Sequence, residues 1–431
     1  MRRCQPAHSL AGVGVLAIVT GAGAGLAALV FRSLIGWFTG LLSGHPDYSA
    51  AGHAPHPWVP WLGPWFVVLA PAVAGLLYGP LIYRYAREAR GSGVSQVMRA
   101  VAENGGRIRP AVAVVKSLAS AICIGGGGSV GREGPIVQIG SALGSSLGQR
   151  LRVAEPRLKL LLACGAAGGI SATFNAPIAG VLFALELLLR DFSAESAGVL
   201  LLASVTADVI GRAAFGPAAV LSLPPFALGS LAEYGFHAGL GLCAAVVGVA
   251  FIRVFHGLED LADRVWRGPE WLRPAVGGLG LGLVLLVLPE LYGVGYPVLE
   301  GAIREQYGPG LLILFLIGKI VATSLTIAIG GSGGVFAPTL FMGAMLGTAY
   351  GGLLHSAWPD LTGPAAAYGL VGMGAVFAAA ARAPLTAVVS VLELTGAYHL
   401  TLPLMLAVAL AAGTSRLLSR DTIFSRPPHR G

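Results

Sequence analysis

The stretch GGGGSVGREGPIVQIGSALG, residues 125–144, decides how this chain is read. Its opening glycines suit a loop that lets backbone and ligand approach closely, and Pro135 suits the first turn of a following helix. Arg132 and Glu133 stand at that helix start. Neighbours on a helix diverge by about 100°, so a mutual ion pair does not account for them. At a helix N-terminus the first N–H groups lack intrahelical partners, which makes the place suited to anions. Glu133 is itself an anion there: charged it fills the place, protonated it leaves.

The rest of the chain puts this segment in a membrane. Of 431 residues, 55% are hydrophobic and 11% charged, against about 25% charged in a soluble domain. Apolar runs near the roughly 20 residues that cross a bilayer predict spanning helices at 9–31, 63–82, 198–215, 235–252, 274–292 and 310–329. The runs 111–124 and 178–189 are shorter and broken, which lipid tolerates only beside protein or a water-filled cavity. Arg2 and Arg3 precede the first run as in a secretory signal, but its length and the lack of a cleavage site predict a retained helix.

The net charge of +8 is not a nucleic-acid signature, because of where the charge sits. Arg84, Arg87 and Arg90, then Arg150, Arg152, Arg157 and Lys159, then Arg416, Arg420, Arg426 and Arg430 fall in short connections. Basic connections mark the cytoplasmic face, so both termini are expected there, in a plasma or bacterial inner membrane. Residues 43–65, with Trp58, Trp61 and Trp65, suit the opposite face. Cys4, Cys123, Cys164 and Cys243 show no metal or redox spacing, and His45, His53 and His56 read as a solvated loop. No metal or cofactor is expected.

The chain also repeats itself. GREGPIVQIGSALG (131–144) resembles GGVFAPTLFMGAMLG (333–347), with Pro135, Gly140 and Gly144 matching Pro338, Gly343 and Gly347 at a shift of 203. GAAGGISATFNAPIAGVLFALEL (165–187) resembles GMGAVFAAAARAPLTAVVSVLEL (372–394), with Gly165, Pro177 and Glu186 matching Gly372, Pro384 and Glu393 at a shift of 207. That period is too long for a solenoid and suits the duplicated halves of a transporter, whose site lies where broken helices meet at the midplane. The division is placed at 1–205 and 206–431, near the Pro-containing LSLPPF, with no soluble regulatory domain after the last helix.

Three segments suit an anion stripped of water: GSGVS (91–95) with Ser92 and Gly93, GREGP (131–135) with Arg132, Glu133 and Gly134, and GGVFAP (333–338) with the amides of Val335 and Phe336. These residues resemble a known family, the CLC chloride channels and chloride/proton antiporters. GSGVS resembles its GSGIP motif, GREGP is its gating-glutamate motif unchanged, GGVFAP matches its GxFxP motif, and FNAPIAGVLFALE (174–186) is typical of it. The resemblance covers nearly the whole chain. It implies an all-α polytopic fold of two inverted repeats, with half-helix N-termini meeting at a midplane anion site. It further implies a homodimer with one pore per subunit, chloride and protons as partners, and Glu133 as gate.

Departures from the family pattern bear on mechanism. Ser95 stands where the family has proline. Leu187 fills the position of a second, proton-accepting glutamate in the antiporters, and Glu186 beside it faces elsewhere on a helix. Phe424 falls where many members have a chloride-coordinating tyrosine, and it donates no hydrogen bond. Passive or weakly proton-coupled chloride conduction is therefore expected ahead of stoichiometric exchange. A fluoride exporter is disfavoured by Ser92. An intramembrane enzyme is disfavoured because no histidine accompanies Ser92 in its motif and no acidic metal cluster is present.

Overall fold

The computed structural model describes residues 10–216 and 231–425. Arg2, Arg3, Cys4, LSLPPF (221–226), Arg426 and Arg430 lie outside the described residues. Among the described residues the regular structure is helical: α1 (Leu10–Ser43), α2 (Phe66–Tyr85), α3 (Val94–Ala102), α4 (Ala111–Gly125), α5 (Glu133–Arg150), α6 (Glu155–Phe174), α7 (Pro177–Phe183), α8 (Ala194–Phe215), α9 (Ala232–Val265), α10 (Arg273–Val287), α11 (Tyr296–Ile303), α12 (Pro309–Ala328), α13 (Phe336–Ala357), α14 (Ala365–Ala381), α15 (Pro384–Thr395) and α16 (Thr401–Leu418). Prolines start α6, α7, α12 and α15, where a missing N–H costs nothing.

Among the described residues, six helical segments are long and apolar enough to cross a membrane, and five coincide with expected spans. The expected span at 274–292 is instead the 15-residue α10. Pro289 drives Leu288 out of helical geometry (φ −129°, ψ 76°) and stops it. The segment Tyr398–Leu418 meets the criterion although no span was expected there. Its Pro403 sits in the first turn of α16, where it is tolerated.

Symmetry related to the repeat runs through the packing. A Cβ on Gly140 would strike the Gly165 carbonyl and a Cβ on Gly165 the Gly140 carbonyl, so α5 and α6 cross with backbones touching. Gly343 and Gly372 do the same for α13 and α14. Small residues let helices approach this closely in lipid. Two lysines in apolar helices are fully buried. Lys116 donates to the carbonyls of Ala89 and Gly91 at 2.9 and 2.8 Å, and Lys319, 203 residues on, to those of Gly293 and Val294 at 3.0 and 3.1 Å. Each ammonium ties an apolar helix to the loop that precedes a short one, α3 or α11.

The two matching glutamates brace one half against the other. The Glu186 carboxylate accepts from Leu385 N at 3.1 Å, Thr386 N at 2.8 Å and Thr386 Oγ1 at 2.6 Å, capping α15. The Glu393 carboxylate accepts from Ile178 N at 3.0 Å and Ala179 N at 2.7 Å, capping α7. A carboxylate facing a helix start satisfies orphan donors and meets the positive end of the helix dipole. Both are therefore structural caps.

Candidate anion pathway

The glycine loops converge because their backbones pair. Gly91 N donates to Gly331 O at 2.9 Å and Gly333 N to Gly91 O at 3.3 Å; Gly131 N donates to Gly334 O at 2.7 Å and Gly334 N to Gly131 O at 2.6 Å. All three motifs are thus stitched together at the starts of α3, α5 and α13. Gly93 sits at φ 86° ahead of α3, and a Cβ there would crowd the Gly134 carbonyl. The packing of these loops fixes where the helix N-termini aim.

Glu133 lies at the centre, 3% exposed. Its Oε2 accepts from the backbone N–H of Ala337 at 3.3 Å, in the first turn of α13, and its Oε1 accepts from the Tyr296 hydroxyl at 3.4 Å. The carboxylate from the first half therefore rests on the helix start of the second. It borders a cavity of about 20 Å3, along with Gly134, Val335, Phe336, Thr386 and Phe424. A water needs roughly 10–15 Å3 of such space, so the cavity suits one small occupant such as a dehydrated halide. Phe336 packs against Phe174 and Phe377, with ring centroids 6.1 and 4.6 Å away.

Below it opens a vestibule of about 490 Å3, bordered by Ser95, Arg99, Lys159, Leu187, Arg190 and Phe424. Phe424 borders both spaces. Leu187 lies in a π-helical turn, Ala184–Leu189, and gives the vestibule an apolar wall.

Three residues expected in the anion site are not among those bordering the cavity. Arg132 turns from the cavity: its guanidinium stacks 5.2 Å over the Phe174 ring and 5.1 Å over Tyr296. It borders a separate concavity of about 220 Å3 with Arg32, Arg212 and Asp208. The divergence of adjacent side chains at a helix start explains this, since Glu133 points inward. Ser92 and Gly93 do not border the cavity; their neighbour Val94 does. The Ser92 hydroxyl meets that of Ser95 at 3.4 Å, in place of the family's proline.

Sequence reading missed Tyr296, Thr386, Lys116 and Lys319. The signal was present for most of them: GVGYP (293–297) repeats GSGVS (91–95) at a shift of 202, and the lysines repeat at 203. The three histidines do not converge. His45 and His53 meet the carbonyls of Pro55 and Leu286, and His56 accepts from Trp58 N.

Fold and site define a polytopic membrane protein whose broken helices aim their N-termini at a buried carboxylate beside an ion-sized cavity. A family model described as voltage gated chloride channel matches residues 74–416, and the chain belongs to this family, the CLC proteins. It is 35% identical over 418 residues to a putative chloride channel protein ClcB-like of Ralstonia nicotianae, covering 95% of each chain. It is 35% identical over 360 residues to the H(+)/Cl(-) exchange transporter ClcA of Vibrio cholerae, covering 81% of this chain and 76% of that one. A crystal structure of a slow cyanobacterial Cl-/H+ antiporter superposes with TM-score 0.85 at 26% identity, covering 97% of both chains. A CLC-type fluoride/proton antiporter shares the fold, with TM-score 0.81 at 23% identity.

Chloride transport follows for this chain, in an integral membrane setting and without enzymatic chemistry.

Proposed function

We propose that the chain exchanges chloride for protons, with Glu133 handling both ions. The observation that carries this is the Glu133 carboxylate on the Ala337 N–H, a negative charge seated at the start of α13 beside an ion-sized cavity. Adding a proton to the carboxylate removes the charge that holds it there and frees the helix start for chloride. Losing the proton on the other side returns it and displaces the chloride. The two ions then move in opposite directions because they compete for one set of donors.

The exchange transporters among the relatives favour this reading over the passive one expected from Leu187 and Phe424. Those two residues still favour weak coupling as a second reading, since neither side chain carries a proton. On the exchange reading, the inner proton travels through water in the wide vestibule. The anion donors assigned are the amides at Gly134, Val335 and Phe336, with Phe424 as inner closure; Ser92, Gly93 and Arg132 shape the surrounding loops. The halves 1–205 and 206–431, a homodimer in the bilayer and cytoplasmic termini complete the reading.

The test is purified protein in liposomes under an outward chloride gradient, with voltage clamped by a potassium ionophore. Exchange predicts protons driven uphill into the vesicles in fixed ratio to chloride leaving. Chloride efflux without proton movement would support the passive reading instead.

A further inference from the structure

After α16 the chain runs as a short strap, 419–425, that carries Phe424 to the border of both cavity and vestibule. Within the strap Ser425 N and Oγ donate to Thr422 O and Ser419 Oγ donates to Asp421 O, local turns that leave its placement against the helices to contacts from outside. Side chains from α9 and the end of α14 reach it. Arg382, just past α14 in left-handed geometry (φ 56°), donates Nη1 to Arg420 O at 3.0 Å and Nη2 to Asp421 O at 3.1 Å and to Ser419 O. His256 on α9, 4% exposed, meets Thr422 O through Nε2 at 3.1 Å. Its Nδ1 meets Glu259 Oε2 at 3.3 Å. Arg253 adds a longer bond to Leu418 O, and Ile423 N donates to Ala380 O at 3.1 Å.

Consecutive carbonyls from 418 to 422 thus meet donors from outside the strap, immediately ahead of the ring that borders both spaces. Carbonyl oxygens in a loop need partners when water is scarce, but a chance arrangement would spread them over many donors. Here two side chains take four carbonyls in a row.

We propose that Arg382 and His256 are positioning residues for transport, holding the strap so that Phe424 stays in the aperture between cavity and vestibule. The proposal rests on the reading of Phe424 as the inner closure. Released from the grip, the strap swings into the 490 Å3 vestibule and the ring leaves its seat. Chloride then escapes inward without waiting for Glu133, and coupling slips. Arg382 occupies the repeat position of Asn175, which shares its left-handed backbone (φ 58°), so the arginine is a second-half specialisation.

The experiment is a set of flux measurements in liposomes on wild type, Arg382→Ala, His256→Ala, His256→Gln, Phe424→Ala and the double variant Arg382→Ala/Phe424→Ala. Proton and chloride movement are recorded together, and thermal unfolding in detergent is followed separately. Arg382→Ala and His256→Ala are expected to raise chloride turnover and lower protons moved per chloride, each by roughly fivefold. His256→Gln keeps an N–H donor for Thr422 O and is expected to restore most of the ratio. The double variant is expected to match Phe424→Ala alone, because the grip acts through that ring.

Three results overturn the proposal. If Arg382→Ala and His256→Ala keep the wild-type ratio while Phe424→Ala lowers it, the closure stands and the grip does not. If Phe424→Ala itself changes nothing, the reading of the closure fails first. If the double variant shows the sum of two separate losses, accompanied by lowered unfolding temperature, the bonds serve stability alone.

Discussion

At the start of α5 stands Glu133; at the matching start of α13, 203 residues later, stands Phe336. Around this pair nearly everything else is doubled. Lys116 and Lys319 both grip carbonyls of a glycine loop, Glu186 and Glu393 cap each other's half, and two glycine pairs form the same helix crossing. The doubled parts hold helix ends at fixed places inside a membrane, a task equal on both sides. The single carboxylate is the part that titrates. A second one opposite would repel the first and fill both helix starts, leaving no donors for chloride. The scaffold is symmetric and the chemistry is not.

The sharpest way to break this contrast is Glu133→Gln, which keeps the shape and removes the titration. Proton flux is expected to fall by roughly 10²-fold or more, while chloride flux persists. Simultaneous pH and chloride recordings in liposomes read this. If the scaffold is truly shared, Lys116→Met and Lys319→Met must both destabilise, by about 1–3 kcal/mol each through the lost ammonium–carbonyl bonds, with Lys116→Met at the lower end because Ala89 O and Gly91 O keep Ser332 Oγ and Gly333 N as partners. Thermal unfolding in detergent compares them, and a cost confined to one lysine would break the symmetry. Glu186→Gln and Glu393→Gln are expected to destabilise less, by about 1–2 kcal/mol, because the amide oxygen still accepts. Neither should change protons per chloride, and a change in Glu186→Gln alone would make Glu186 part of the proton path. The smallest effect is expected from Phe424→Tyr. A hydroxyl at the aperture adds one donor, worth about 1 kcal/mol or roughly fivefold in chloride affinity, read by calorimetric titration.

Much of this was legible in the residues. GREGP marked the buried carboxylate, and the matched Pro135 and Pro338 located both helix starts. The glycines picked out as repeat landmarks proved to be the helix crossings. What was not legible depends on direction. Nothing in the string says that Arg132 turns to Phe174 and Tyr296 while Glu133 turns inward. Likewise Glu186 faces the start of α15 across 200 residues, a pairing that only the fold creates. Tyr296 escaped notice because valine replaces serine in the middle of its GVGYP loop. The strap residues 419–425 escaped for lack of periodicity; their order comes from Arg382 and His256, which lie far away in sequence.

Exchange through Glu133 is most directly tested by the reversal potential of wild type and Glu133→Gln, side by side, in reconstituted membranes with a pH gradient imposed on a chloride gradient. Wild type is expected to reverse away from the chloride equilibrium potential and to shift whenever the pH gradient is changed. Glu133→Gln is expected to reverse at the chloride potential and ignore pH. A wild-type protein that also reverses at the chloride potential, whatever the pH gradient, would contradict exchange and leave Glu133 as the gate of a passive pore.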